Sequence, residues 1–262
     1  MEQHGGTTKN CKITASNDPG ASRYGNFINY YTFRSADERA QQLPRGIWRN
    51  KTPEAVASSP PQRNRYIALD VGCNAGDLTM LLLEFLREAT SENEAEKSEV
   101  HLLGIDIDST LITRAQEQNT LPEFVSFECL DFMDSKDREK LMKRFLSNFS
   151  RDRFDVVFCF SVTMWIHVNH GDEGLVNFLE AVCSLAEMVV VEPQPGKCYR
   201  NASRRLRRAG HEDFPFISSM KLNNDVDHHI DRIILDRCSF ERVSVTNPNE
   251  WGRKLLIYRR VR

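Results

Sequence analysis

The sequence predicts an α/β fold, in which a mostly parallel seven-stranded sheet carries helices on both faces and an antiparallel hairpin at one edge. First, an apolar run from Tyr66 to Val71 ends in a glycine-containing turn, and an apolar-periodic helix follows at once. Second, short apolar runs then keep alternating with helical patterns, which is typical of a doubly wound sheet. Third, the last two apolar runs have no helix between them, so we expect them to pair antiparallel with each other.

The strands and helices follow from the period of the apolar residues along the chain. The predicted strands are Tyr66 to Val71, Val100 to Ile105, Phe124 to Leu130, Phe154 to Phe160, Met188 to Val191, Phe240 to Thr246 and Lys254 to Tyr258. The predicted helices are Asp77 to Glu88, Ser109 to Gln118, Asp137 to Phe149, Glu173 to Ala186, Asn201 to Ala209 and Val226 to Cys238. Ser109 is expected to cap the second of these helices through its hydroxyl group.

Composition limits the class of protein and its compartment. The chain has 262 residues and a formal net charge of -2, so any polyanion must be met by a local basic patch. Its seven cysteines show no C-x-x-C pairing and are predicted to be free thiols of a reducing compartment. The N-terminus has no apolar leader, and no run approaches the length of a membrane span. We therefore expect a cytoplasmic protein, with the nucleus as the alternative, and no membrane partner.

The residues ahead of the first strand differ in composition from the rest. Residues 1–22 are polar and rich in Gly, Ser, Thr and Asn, and we expect them to form a disordered tail. An aromatic and arginine-rich segment follows from Tyr24 to Trp48. Residues from Arg49 to Asn64 are rich in proline and serine, which indicates a linker or surface loop.

The turn after the first strand indicates the kind of ligand that the fold holds. From Asp70 to Gly76 it runs DVGCNAG, which lacks the three glycines of the dinucleotide pattern G-x-G-x-x-G. An acidic residue just ahead of the first glycine suits a cationic ligand better than a pyrophosphate. S-adenosylmethionine (SAM), with its ammonium and sulfonium groups, is such a ligand, and a nicotinamide dinucleotide is disfavoured. An ordinary strand-to-helix turn remains the alternative.

Carboxylates stand at three successive strand ends, where ligands bind in open parallel sheets. Asp106 can accept from both ribose hydroxyls, and Asp131 from an adenine amino group with Phe132 packing on the base. Asp70 or its neighbouring backbone can hold the amino-acid part of the ligand, and Asn74 can hydrogen-bond from the turn. The alternative for each aspartate is a cap on the helix that follows.

The segment after the fourth strand carries polar groups at the place where the reacting part of a substrate would lie. It contains His167 and His170, whose spacing raises the possibility of a metal site. No third ligand accompanies them at a suitable spacing, so we expect no metal. Trp165 is expected to be packed in the core, whereas His170 is the better candidate for contacting substrate.

Basic and aromatic residues are expected to form a rim around the crevice. Lys197 and Arg200 follow the fifth strand, and a run of arginines continues on the predicted helix from Asn201. Arginine forks bind phosphate, and aromatic rings stack on bases, as an RNA terminus requires. A solvated basic helix face is the alternative for the later arginines. The N-terminal members of this rim are Tyr30, Tyr31, Arg34 and Arg39.

Five blocks occur in order along the chain: YGNFINYY, LDVGCNAGDL, GIDID, SVTMWIHVNHGDEGL and VEPQPGKCYR. Together they resemble the Bicoid-interacting family of RNA 5′-phosphate methyltransferases over roughly residues 24–258. The resemblance implies a Rossmann-like class I SAM-dependent methyltransferase, with S-adenosylhomocysteine (SAH) as the product. It also implies a covering segment for substrate and cofactor in residues 23–64 and a methyltransferase domain in residues 65–262.

Within that family, two branches differ in substrate. The branch that caps a nuclear RNA on its 5′-triphosphate carries a lysine where this chain has Met164. The chain is more similar to the branch that methylates the 5′-monophosphate of histidine tRNA or precursor microRNA, and capping of a 5′-triphosphate is the alternative. A second departure is Pro195-Gly196, where the family usually has an aromatic residue after the proline.

The resemblance also implies roles for individual residues. The cofactor contacts are Tyr31, Arg39, Gly72, Asn74, Asp106, Ile107, Asp131, Phe132 and Phe160. Those facing the RNA end are Tyr30, Arg34, Lys197 and Arg200, to which His170 is added from its position. We expect a monomer that needs no general base. Methylation of a protein or metabolite, and RNA binding without chemistry, are the competing hypotheses.

Overall fold

The computed structural model describes residues 20–48, 65–91 and 98–261. The linker predicted from Arg49 to Asn64, and residues 1–19 of the predicted tail, lie outside the described residues. The boundaries proposed between tail, covering segment and methyltransferase domain therefore stay a prediction.

Seven strands form one sheet, which confirms the predicted fold class. The strands are β1 Tyr66–Val71, β2 Val100–Asp106, β3 Val125–Cys129, β4 Phe154–Phe160, β5 Ala186–Glu192, β6 Phe240–Val245 and β7 Leu256–Arg260. Their order across the sheet is β3-β2-β1-β4-β5-β7-β6. Strands β1 to β5 pair in parallel, and β7 runs antiparallel to both β5 and β6. The strand order reverses between β1 and β4, and a ligand crevice is expected there, beyond the carboxyl ends of these strands.

Eight α-helices surround this sheet within the described residues. They are α1 Tyr30–Phe33, α2 Ala36–Gln41, α3 Asp77–Ala89, α4 Ser109–Gln118, α5 Ser135–Ser147, α6 Thr163–Ser184, α7 Gly196–Arg208 and α8 Val226–Arg237. Helices α1 and α2 fall in the aromatic and arginine-rich segment ahead of the sheet.

The sheet separates two hydrophobic layers because alternate residues of a strand point to opposite faces. On β1, Ile67 and Leu69 join the layer built with α5 to α8, whereas Ala68 joins the layer built with α2, α3 and α4. Trp48 is fully buried in the second layer, where its ring lies 5.4 Å from that of Phe85. The N-terminal segment is thus anchored in the same core as the sheet.

One helix cap and the starts of two other helices differ from the prediction. Ser109 is not the cap of α4: the carboxylate of Asp108 accepts from the backbone N–H of the second and third residues after it, so Ser109 is the first helical residue. Helix α6 begins ten residues earlier than Glu173, at Thr163, and continues past a break at Gly171 (φ 72°, ψ -172°). Helix α7 begins at Gly196, directly after a proline that needs no N–H partner. Its early start places Lys197 and Arg200 on the helix.

The break at Gly171 requires glycine for two reasons. Its positive φ disfavours a side chain, and a Cβ there would lie 2.9 Å from the ring of Phe216. At Gly174, a Cβ would lie 2.1 Å from that of His170. The glycines flanking the acidic pair of this block therefore let the two halves of α6 pack closely.

Candidate active site

The N-terminal segment crosses the carboxyl edge of the sheet. The amide of Asn26 donates to the carboxylate of Asp108, and the carbonyl of Phe27 accepts from Asn74 at 3.1 Å. At the other side of the crevice, Asn169 on α6 donates to the carbonyl of Arg23 at 2.9 Å. These bonds hold the segment over the switch point of the sheet, as a cover of the crevice requires.

The glycine turn after β1 is hydrogen-bonded to the end of β2. The N–H groups of Gly72 and Cys73 both donate to the carbonyl of Ile105, at 2.8 and 2.9 Å. Gly72 and Asn74 have positive φ values of 80° and 53°. At Gly76, with φ 89°, a Cβ would lie 2.7 Å from the ring of Phe127 on β3. The turn is therefore shaped by conformations that favour Gly and Asn.

Asp106 is held between the turn and the next loop. One carboxylate oxygen accepts from the N–H of Asn74 at 2.9 Å and the other from the N–H of Asp108 at 3.0 Å. Burial raises the pKa of Asp106, and these backbone hydrogen bonds oppose the rise. Since each carboxylate oxygen has two lone pairs, both remain able to accept a ribose hydroxyl.

Asp70 lies deeper, with 2% of its surface exposed. Its carboxylate accepts from the hydroxyl of Thr79 at 2.7 Å. Burial raises the pKa of Asp70 to about 6, although the Thr79 hydrogen bond and the charge of Arg39 pull it down. Tyr31 belongs to the same end of the crevice, because burial and the charges of Asp70 and Cys73 raise its pKa, while Arg39 lowers it.

Beyond Asp106, the loops offer an exposed apolar and an exposed acidic group. Ile107 is 38% exposed. Asp131 is exposed and accepts from the N–H of Met133 at 2.9 Å. Phe132, by contrast, is buried against Phe178, with ring centres 5.2 Å apart. Its predicted packing on an adenine base is not supported by this placement.

At the other end of the crevice, a fully buried carboxylate binds two arginines. Glu192, the last residue of β5, accepts from Arg39 on α2 and from Arg253, which precedes β7. The hydroxyl of Ser161 accepts from both arginines and donates to Glu192. Although burial opposes it, the two arginines hold the pKa of Glu192 below its usual value. We call Arg39, Ser161, Glu192 and Arg253 the arginine–glutamate cluster.

Aromatic rings and a further arginine surround this cluster. The guanidinium of Arg39 lies 5.4 Å from the ring centre of Tyr30 and 5.2 Å from that of Phe160. Arg34 lies 4.8 Å from the ring centre of Trp251. Burial and the nearby charge of Arg253 lower the pKa of Arg34. Three guanidinium groups are therefore gathered near one buried carboxylate.

The residue after Glu192-Pro193 fixes the loop that carries Ser161. Gln194 is 1% exposed, and its amide nitrogen donates to the Ser161 carbonyl. Its amide oxygen accepts from the hydroxyl of Thr163 at 3.3 Å and from the N–H of Met164 at 3.2 Å. Ser161 has a positive φ of 57°, a strained conformation for a non-glycine residue. The E-P-Q-P block thus holds the end of β4 in shape.

The basic residues predicted after β5 are exposed on the first turn of α7. Lys197 and Arg200 are one helical turn apart, and the Lys197 Nζ lies 3.8 Å from where a Cβ would be at Gly252. His170 is exposed as well, whereas His167 is fully buried between the Tyr199 hydroxyl at 3.0 Å and the Asp172 carboxylate at 2.7 Å. His167 is therefore a structural residue.

Sequence reasoning found the acidic residues of the site but missed most of the arginine–glutamate cluster. Of its members only Arg39 was singled out. Glu192 lies in a quoted block, and a glutamate that ends an apolar strand is a signal that could have been used. For Arg253 no local signal exists, since nothing next to it in the sequence indicates burial.

In the parts of the chain that the structure describes, none of the helices combines the length and the hydrophobicity that a membrane span requires. Nor do these parts of the chain contain a group of three or more His, Cys, Asp or Glu side chains that could hold a metal ion.

Comparison with known proteins gives two family models and several relatives. The model "Bicoid-interacting protein 3 (Bin3)" matches residues 154–260, and the model "Methyltransferase domain" matches residues 69–183. A pre-miRNA 5′-monophosphate methyltransferase of Xenopus laevis is 41% identical over 242 residues, covering 92% of this chain and 94% of the relative. An RNA 5′-monophosphate methyltransferase of Homo sapiens is 40% identical over 243 residues, covering 92% and 82%. Among solved structures, the N-methyltransferase NodS of Bradyrhizobium japonicum with SAH has a TM-score of 0.45 at 14% identity, covering 75% and 79%.

Proposed function

Because the chain belongs to the Bin3 family and, within it, to the RNA 5′-monophosphate methyltransferases, we propose that it methylates the terminal 5′-monophosphate of a small RNA. It is a SAM-dependent methyltransferase with a Rossmann-like class I fold. The observation that carries the proposal is the position of the arginine–glutamate cluster. The cluster has two guanidinium groups for one carboxylate. It lies at the same edge of the sheet as the glycine turn, at the ends of the next two strands, β4 and β5.

The residues around the turn fit the cofactor. Asp106 has free lone pairs for the ribose hydroxyls, and the exposed Ile107 and Asp131 offer an apolar contact and an acceptor for a base. Asn74 and the backbone of Gly72 would contact the amino-acid part. When bound, SAM supplies an electrophilic methyl group on its sulfonium sulfur. Arg39 and Tyr31 lie beside Asp70 and would close this side of the pocket.

The substrate needs no general base from the protein. A phosphate monoester has a second pKa of about 6, so near neutral pH its terminal oxygens already carry the charge that attacks the methyl group. The task left to the chain is to align the phosphate and to exclude water. Lys197 and Arg200 would grip the oxygens that do not attack, because a cation on the attacking oxygen would weaken it as a nucleophile. Tyr30 and Arg34 would hold the same phosphate from the N-terminal side.

The side chain of Met164 supports a monophosphate, and not a triphosphate, as the end of the substrate RNA. This side chain is 3% exposed and belongs to the hydrophobic core, so it places no cation near the crevice. A longer phosphate chain would need additional positive charge. The substrates proposed for this chain are a pre-miRNA or another RNA with a 5′-monophosphate, after which its relatives are named, and histidine tRNA, which the family resemblance implies. The cytoplasmic location stays a proposal, which the free thiols of the described cysteines support, and the monomeric state stays a proposal as well.

Methyl transfer from labelled SAM to three matched RNAs tests the function. The RNAs share one sequence and end in a 5′-hydroxyl, a 5′-monophosphate or a 5′-triphosphate. We expect label in the monophosphate RNA and background in the hydroxyl RNA. Equal label in all three would defeat methylation of the end phosphate, and label in protein fractions without RNA would favour a protein substrate. The Asp106→Ala variant serves as the inactive control.

A further inference from the structure

We propose that Arg253 binds the 5′-phosphate of the substrate and sets the preference of the site for a phosphorylated RNA end. The proposal rests on the proposed function and adds to it a residue from the far end of the chain. Arg253 lies in the loop between β6 and β7, which no motif of the sequence analysis includes.

The loop before Arg253 is fixed and lines the basic side of the crevice. The side-chain oxygen of Asn249 accepts from the N–H groups of Trp251 at 3.1 Å and Arg253 at 3.0 Å, and the Asn249 N–H donates to the carbonyl of Arg253 at 2.8 Å. Trp251 packs on the guanidinium of Arg34. Gly252 faces Lys197 on α7. Consecutive residues of this loop therefore contact two of the predicted substrate residues.

Arg253 itself contacts a third predicted substrate residue, Tyr30. Only one nitrogen of its guanidinium group makes this contact and the other side-chain hydrogen bonds. Its Nη1 donates to the Tyr30 hydroxyl at 3.3 Å, to Glu192 at 3.4 Å and to Ser161. Within the described residues, every side-chain nitrogen or oxygen that is sealed from solvent has a hydrogen-bond partner. Every side-chain hydrogen bond of Arg253 involves Nη1, and 8% of the residue is exposed, so Nε and Nη2 keep N–H groups to donate to a ligand. A guanidinium held at one nitrogen in this way can donate a fork to a phosphate from the other two.

The charges around Arg253 favour an anion. Arg39 and Arg253 share the single carboxylate of Glu192, and burial of a cation without compensation is costly. The two arginines face different neighbours. Arg39 lies 5.2 Å from the ring centre of Phe160, a predicted cofactor contact, whereas Arg253 follows Gly252, which faces Lys197 on α7. The geometry therefore gives Arg39 to the cofactor end and Arg253 to the substrate phosphate.

The Arg253→Lys variant separates phosphate binding from structural support. Lysine keeps the positive charge that Glu192 requires but loses the planar fork. The matched control is Arg242→Lys, since Arg242 is an exposed arginine on β6 that pairs with Asp231. Affinities are measured for two 3′-labelled oligoribonucleotides that differ only in a 5′-phosphate or 5′-hydroxyl, with SAH present. Calorimetric SAH affinity and the KM for the phosphorylated RNA are measured beside them.

We expect the wild type and Arg242→Lys to prefer the phosphorylated oligonucleotide, and Arg253→Lys to lose at least fivefold of that preference. The KM for RNA should rise by a similar factor, with SAH affinity unchanged within twofold. An unchanged preference would overturn the proposal, as would equal losses for both oligonucleotides or a parallel loss of SAH affinity. The proposed function fails separately, if the wild type transfers no methyl group to a 5′-monophosphate RNA. Binding of the two oligonucleotides still decides the role of Arg253 in that case.

Discussion

The two ends of the crevice each bury a carboxylate, and the surroundings of the two differ in charge. Asp70, at the end of β1, has a threonine hydroxyl as its hydrogen-bond partner, and burial raises its pKa to about 6. Glu192, at the end of β5, binds Arg39 and Arg253, which hold its pKa below the usual value. One end of the crevice is therefore acidic and suited to a cationic cofactor. The other carries excess positive charge and suits a phosphate.

The largest effect is expected at Glu192. In Glu192→Gln, Arg39 and Arg253 would stay buried without a carboxylate, and breaking such a pair costs about 3–5 kcal/mol in the free energy of unfolding. Glu187→Gln is the control on the same strand, because Glu187 is half-buried and pairs with Arg153 at 3.6 Å. A surface pair contributes about 1 kcal/mol at most. Urea denaturation measures both, and equal costs would contradict the assignment of the cluster as a buried charge centre.

The next effect is a pH dependence at Asp70. With a folded-state pKa of about 6 against an ordinary 3.8, Asp70 keeps its proton in the folded state over a range where the unfolded chain releases it. Its contribution to stability is therefore complete below the ordinary pKa and is lost as the pH rises through about 6. The loss amounts to about 3 kcal/mol at most, from about 1.4 kcal/mol per pKa unit.

The Asp70→Asn variant tests this dependence. It should flatten the free energy of unfolding between about pH 4 and 6, relative to the wild type measured in the same buffers. Asp77→Asn is the control, since Asp77 is exposed at the start of α3. Identical pH profiles for the wild type and Asp70→Asn would show that Asp70 is not the titrating group.

Cofactor affinity should depend on Asp106 more than on Asp131. Hydrogen bonds to a charged group contribute about 1.5–3 kcal/mol, so Asp106→Asn is expected to weaken SAH binding by about 10- to 100-fold. Asp131→Asn should weaken it less, because Asp131 is exposed and its hydrogen bonds compete with water. Calorimetry with SAH compares the two. The ribose assignment is wrong if Asp106→Asn binds SAH as the wild type does.

The smallest effect is expected at His170. This side chain is exposed, so His170→Ala should leave the melting temperature unchanged and raise the KM for RNA less than about tenfold, an energy below about 1.4 kcal/mol. His167→Ala should behave in the opposite way, because it removes the buried imidazole that is hydrogen-bonded to Tyr199 and Asp172. If His167→Ala altered only the RNA kinetics, the roles assigned to the two histidines would be reversed.

The acidic end of the crevice could be predicted from the sequence, whereas most of the arginine–glutamate cluster could not. The acidic end is built from short contacts along the chain: Asp70 meets Thr79, and Asp106 meets the turn that follows the neighbouring strand. A strand, a turn and a helix in succession predict that arrangement. In the arginine–glutamate cluster, Glu192 binds arginines that lie 153 and 61 positions away along the chain, so only the folded sheet shows it.

Helix α6 shows a different limit. The sequence predicted this helix only from Glu173 onward and no helix directly after β4. Its first half is nevertheless helical, because the break is concentrated at Gly171 and the E-P-Q-P block holds its start through Gln194. The role of Phe132 at the cofactor stays a prediction: its neighbour Asp131 is exposed, whereas its own ring packs against Phe178.

A crystal structure of the chain with SAH and a 5′-phosphorylated dinucleotide tests the division of the crevice most directly. The account predicts the ribose hydroxyls of SAH on Asp106 and the terminal phosphate on Arg253 and Tyr30, with one phosphate oxygen facing the sulfur. A phosphate bound only to the exposed arginines of α7, with the Arg253 side of the crevice closed by the chain itself, would contradict it.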